Sequence, residues 1–140
     1  MRDILELLGR IFISFIFLYQ AYVYIDDFGA TREAMLDYGI TWQQNFWLVS
    51  AIFVQIIGGI LILIGYRISF GAVLLLLYWV PFTFVVHSFW NDDLAHRQLE
   101  SVHFIKNLSI IGGLLMVLVN GSKGKYSVRR LFATARVPGV

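Results

Sequence analysis

FWLVSAIFVQIIGGILILIG, residues 46–65, runs its whole length without a charged side chain. A helix needs about 20 mostly apolar residues to cross roughly 30 Å of hydrocarbon. Only Ser50 and Gln55 carry polar side chains inside this block. The next block, Ile68–Trp90, holds no Asp, Glu, Lys or Arg. Two such stretches, joined by the Tyr66-Arg67 turn, read as a transmembrane hairpin.

Two less pure stretches flank the hairpin. Ile4–Ile25 contains Glu6 and Arg10, and Ser101–Val119 contains His103 and Lys106. Both reach full length when those groups sit near the membrane boundary. The expected fold is an all-α membrane protein, a bundle of four transmembrane helices with a short outer-loop helix. The spans are about 4–25, 46–65, 68–90 and 101–119, within a transmembrane domain of residues 1–120. Residues 121–140 form a basic cytoplasmic tail whose Lys/Arg cluster suits anionic headgroups. The first span reads as retained rather than as a signal peptide, because Tyr22-Val-Tyr-Ile-Asp-Asp27 lacks a small-residue cleavage site.

Composition agrees. Of 140 residues, 59% are hydrophobic and 14% charged, where a soluble domain is about a quarter charged. The chain has no cysteine, which excludes thiol–disulfide chemistry, iron–sulfur clusters and thiolate metal sites. A net charge of +2 gives no reason to expect nucleic acid as a partner. The expected partners are the lipid bilayer and either other membrane subunits or a second copy of the chain.

Four spans place both termini on one face, together with Arg2, Arg10, Arg67, Lys123, Lys125, Arg129, Arg130 and Arg136. The other face keeps Arg32, Arg97 and Lys106 and most of the acids. That bias predicts cytoplasmic termini. Trp42, Trp47, Trp90, Tyr22 and Tyr24 then fit an aromatic belt at the outer interface. In the long outer loop, Thr31 is expected to cap a short helix and Gly39 to end it. Gly58, Gly59, Gly112 and Gly113 are expected at helix contacts, since in lipid small residues let backbones approach. Pro81 removes a backbone hydrogen bond and predicts a kink in the third span.

Polar residues in the spans carry the functional signal, because ionisable groups in hydrocarbon are costly. Positions three and four apart share a helix face. On the last span Glu100, His103 and Asn107 form one stripe, with Lys106 on its flank. The first span contributes Gln20, the second Gln55 and the third His87. With the termini inside, these converge in the outer half, so Gln20, Gln55, His87, Glu100, His103, Lys106 and Asn107 define a candidate outer polar pocket. Interfacial snorkelling of Glu100 and Lys106, with an ion pair inside the bundle, is the structural alternative. Glu6 and Arg10, spaced i, i+4, predict a structural ion pair. No metal site and no covalently bound cofactor are expected; two histidines alone make a poor case for haem.

These residues resemble the DoxX-like family of small four-helix membrane proteins over most of residues 1–127. Arg10 with Phe17-Leu-Tyr-Gln-Ala-Tyr22 resembles its first span, and Met35-Leu-Asp-Tyr-Gly-Ile40 its outer loop. Val54 to Gly65 resembles the second span, and Gly124-Lys-Tyr-Ser127 the closing motif. His87-Ser-Phe-Trp90 and Glu100-Ser-Val-His-Phe-Ile-Lys-Asn107, with Gly112-Gly113, resemble the third and fourth spans. Two departures stand out: Gln55 replaces a common Glu, and Tyr24-Ile25 replaces a lysine that often ends the first span. The resemblance implies a bacterial inner-membrane protein. Some relatives are subunits of thiosulfate:quinone oxidoreductase, and others work beside redox-defence enzymes. The expected function is an accessory subunit of a quinone-linked membrane redox complex, with quinone as its ligand. His87 or His103 would exchange a proton, since imidazole titrates near neutrality. Lys106 and Asn107 would bond a quinone oxygen. A small-molecule or lipid carrier acting as a homo-oligomer is the alternative.

Overall fold

The computed structural model describes residues 1–120; the expected basic tail lies outside them. Five helices follow one another: α1 Arg2–Asp26, α2 Phe28–Asp37, α3 Gln44–Ile64, α4 Ile68–Val86 and α5 Leu94–Asn120. A single 3-10 turn, Phe89–Asn91, joins α4 to α5, and no strand occurs among the described residues. Helices α1, α3, α4 and α5 are long and apolar enough to span a membrane. This is a multi-pass membrane protein with the expected architecture.

Large apolar side chains cover the outside of the bundle, including Phe12, Phe15, Phe53, Ile57, Leu77 and Met116. In water such a surface would aggregate; in hydrocarbon it costs nothing, and association rests instead on close packing. Adjacent glycines on α3 serve two different neighbours. A Cβ on Gly58 would lie 2.6 Å from Leu75 Cγ of α4, and one on Gly59 would lie 3.0 Å from Leu18 Cδ2 of α1. Gly71 of α4 faces the Gly58 carbonyl oxygen, 2.9 Å from where its own Cβ would stand. Gly113 meets Ile13 of α1 at 3.1 Å, whereas Gly112 is exposed with nothing within 4 Å. Gly112 therefore meets no other helix among the described residues, and Gly71 is a contact that the glycine-pair pattern overlooks.

Each helix packs on its neighbours in the cyclic order α1, α3, α4, α5, and the α5–α1 seam is the loosest. Two glycines close helices through the left-handed region. At Gly65 (φ +74°) the Gly65 N–H bonds Ile62 O and the Tyr66 N–H bonds Leu61 O. At Gly39 (φ +76°) the matching pair runs from Gly39 to Leu36 and from Ile40 to Met35. Both pairs satisfy carbonyls that a helix end leaves orphaned.

Two helix starts differ from expectation. Helix α2 begins at Phe28, because the Thr31 N–H already bonds Asp27 O at 2.9 Å; Thr31 lies inside the first turn and caps nothing. Helix α5 begins at Leu94, well before residue 101. The Asp93 carboxylate accepts the His96 N–H at 3.0 Å and so caps the first turn. That bond holds the exposed Asp93 carboxyl below the usual carboxylate range. Helix α4 continues through Pro81 to Val86.

Candidate functional site

At the end of the bundle that carries α2, His87 and Glu100 meet across the α4–α5 pair. His87 Nδ1–H donates to Glu100 Oε2 at 2.7 Å, with side-chain exposures of 18% and 30%. The His103 ring stacks on His87 at 5.4 Å between centroids, and Phe82 meets His87 edge-on at 5.7 Å. Tyr38, just after α2, lies close enough to feel this carboxylate. Partial burial, followed by the Glu100 and Asp37 charges, raises its phenol above the usual range. Three of the seven expected pocket residues thus form one cluster at a rim that the α2 loop approaches.

Deeper in the bundle, α1 presents an inward stripe of Arg10, Ser14, Phe17, Ala21 and Tyr24, all buried. Tyr24 is therefore not part of an interfacial belt; its hydroxyl lies 3.1 Å from that of Tyr78 on α4. Trp42, Trp47, Trp90 and Tyr22 are exposed at the α2 end as the belt requires. Because the tyrosine pair is neutral, Tyr78→Phe is expected to cost about 1 kcal/mol. Thermal unfolding in detergent measures it, and an unchanged midpoint would contradict the bond.

From that depth toward the rim, the interior is polar but not self-satisfied. Gln55 on α3 and Thr83 on α4 are fully buried, and Asn107 on α5 nearly so. Thr83 Oγ1–H donates to Trp79 O at 2.7 Å. Gln55 Oε1 and Nε2, Trp79 Nε1, Asn107 Nδ2 and Ser14 Oγ meet no hydrogen-bond partner among the described residues. Leaving such a group dry costs roughly 1–3 kcal/mol, and leucine would be far cheaper in every one of these places. The Ser69–Leu118 and His87–Glu100 contacts lie equally far apart along α4 and α5. That antiparallel register sets Asn107 opposite Val80, between Trp79 and Thr83.

Several expected site residues behave differently. Lys106 is exposed: it sits about 100° around α5 from Asn107, which turns its ammonium away from the bundle. Gln20 is half-buried at the edge of the α1 stripe. Glu6 and Arg10 do not pair. Arg10 is buried and Glu6 stays half-exposed one turn away. Trp79, Ser14, Tyr78 and Tyr38 were not anticipated. A tryptophan in mid-span, far from the interfacial belts where the residue usually sits, was the available signal for Trp79.

Four apolar helices, with a few polar side chains buried among them and an ionisable pair at one rim, define a small helical membrane protein. The DoxX family model matches residues 5–88, and the chain belongs to that family. The matched stretch covers α1 to α4 and His87 but not the α5 residues Glu100, His103 and Asn107. Inner membrane protein YqjF of Escherichia coli is 28% identical over 131 residues, 94% of each chain. The Surfeit locus protein 4 homolog of Schizosaccharomyces pombe is 29% identical over 129 residues, 91% of this chain but 37% of that protein. The ER-derived vesicles protein ERV29 of Saccharomyces cerevisiae is 37% identical over 73 residues, 52% of this chain and 23% of that protein. No solved structure matches the chain.

Proposed function

We propose that the protein is an inner-membrane accessory subunit of a quinone-linked redox complex, with the α2 end outward and the termini cytoplasmic. One observation carries the reading: the His87–Glu100 pair stands at the rim directly above buried donors that have no partner. A quinone head group is neutral, fits hydrocarbon, and offers oxygens to N–H donors such as those of Trp79 and Asn107. Its reduction and oxidation move protons, and a histidine bonded to a carboxylate is suited to pass them to the aqueous side. The inner-membrane placement draws on the likeness to YqjF, and the orientation on the basic residues that gather on the terminal face.

The test is binding of decylubiquinone and of menadione to the full chain in lipid nanodiscs, read by quenching of tryptophan fluorescence. Saturable binding is expected for at least one of the two, weakened about tenfold or more by Asn107→Leu. Failure of both to bind would refute the reading. A carrier acting as a homo-oligomer is the second reading, favoured by the likeness to a vesicles protein. It predicts a dimer in nanodiscs and transfer of the bound molecule between vesicles.

A further inference from the structure

Gln55, Trp79 and Asn107 belong to one layer of the bundle. On α3, Gln55 stands one turn from Ile52, which packs in the cluster with Ala21, Tyr24 and Tyr78. It is also one turn from Gly58, whose neighbour is Leu75 of α4. Trp79 follows Leu75 by one turn on α4 and packs edge-on against Phe17 at 5.0 Å. The α4–α5 register then brings Asn107 to the same depth.

The hydrogen-bonding atoms of this layer are unequal. Trp79 Nε1 and Asn107 Nδ2 can only donate, whereas Gln55 buries both a donor, Nε2, and an acceptor, Oε1. The layer itself contains no carboxylate or cation, and a charged guest would be strongly penalised there. A molecule bearing only carbonyl oxygens satisfies the donors and leaves Gln55 Oε1 dry. One that bears a hydroxyl satisfies both ends, because its O–H donates to Oε1 while its oxygen accepts from an N–H. A site that hydrogen-bonds a hydroxyl discriminates against the analogue lacking it, since its own polar group is then left unpaired.

We propose that the Gln55 layer binds the neutral head group of a quinol, and that Gln55 makes it prefer the hydroxyl-bearing reduced form to the carbonyl-only oxidised form. The inference rests on the quinone-linked reading above and adds which member of the couple the bundle holds. No electron passes through the protein in this step; the preference alone shifts the bound couple. A tenfold preference for the two-electron-reduced form raises its midpoint potential by about 30 mV. The α1–α5 seam, the loosest in the bundle, is the route by which a head group on an apolar tail reaches the layer from the lipid side.

The experiment compares decylubiquinone with its quinol, kept under argon, on the full chain in nanodiscs. Wild type is expected to bind the quinol at least tenfold more tightly. In Gln55→Leu, and in the closer mimic Gln55→Met, the ratio is expected to fall to about one through loss of quinol affinity. Equal affinities in wild type, or a ratio unchanged in both variants, would overturn the inference while leaving the quinone reading in place. If neither form binds, the reading and the inference fall together.

Discussion

Gly71→Val is expected to separate α3 from α4 and destabilise the bundle by about 3 kcal/mol or more, the upper range for overpacking a filled interior. A Cβ at this position would stand 2.9 Å from the Gly58 carbonyl oxygen, 3.0 Å from Leu61 Cβ and 3.3 Å from Ile62 Cγ1. The nearest atom is backbone and the next is the root of a side chain, so neither can swing aside; the helices must part. Gly58→Ala should cost less, because it adds a single methyl and the two atoms met first, Leu75 Cγ at 2.6 Å and Cδ2 at 2.8 Å, belong to a side chain and not to backbone. Gly112→Val is the control. The site is exposed and nothing lies within 4 Å, so the change should be neutral. Heating each variant in detergent and following monodisperse protein by size exclusion decides the matter. Equal midpoints for Gly71→Val and wild type would mean that the α3–α4 packing is wrong.

On the proposed quinone-linked function, His87→Leu and Glu100→Gln are each expected to lower quinol-dependent turnover of the complex by about 10²–10⁴, the usual contribution of a positioned proton-transfer group. The structural cost should be small, because both side chains reach solvent at the rim and partly exposed pairs contribute little to stability. Activity and stability therefore separate, which distinguishes proton exchange from mere helix bracing. His103→Gln should have an intermediate effect, since that ring touches His87 by stacking and not by a hydrogen bond. Wild-type turnover in His87→Leu, at wild-type assembly, would remove the rim pair from the mechanism.

The fold was legible because hydrophobicity came in blocks as long as a bilayer is thick, and nothing but spanning helices explains blocks such as residues 46–65. Helix faces were far less legible. In lipid the outside and the inside of a bundle are both apolar, so the amphipathic signal that orients a soluble helix is nearly absent. That is why Gly112 and Gly113 could not be told apart, although only Gly113 meets a neighbour. It is also why the sequence places Tyr24 in a belt although its hydroxyl turns inward to Tyr78. Spacing puts Glu100, His103 and Asn107 on one face of α5; Glu100 and His103 meet His87, and Asn107 is buried. Spacing could not say that Arg10 turns into the bundle while Glu6 remains at the boundary, because i, i+4 spacing permits a pair without requiring one. The early start of α5 was readable in principle from Asp93, whose carboxylate caps the helix. The orphaned donors at Trp79 and Asn107 emerge only once three helices are set in register.

Purification from native membranes in mild detergent, with mass-spectrometric identification of every copurifying protein and extraction of bound quinones, tests the central claim most directly. A stoichiometric oxidoreductase partner, with quinone retained in wild type and depleted in Asn107→Leu, is the predicted result. A lone chain or homodimer carrying no quinone would contradict the account and turn attention to the carrier reading.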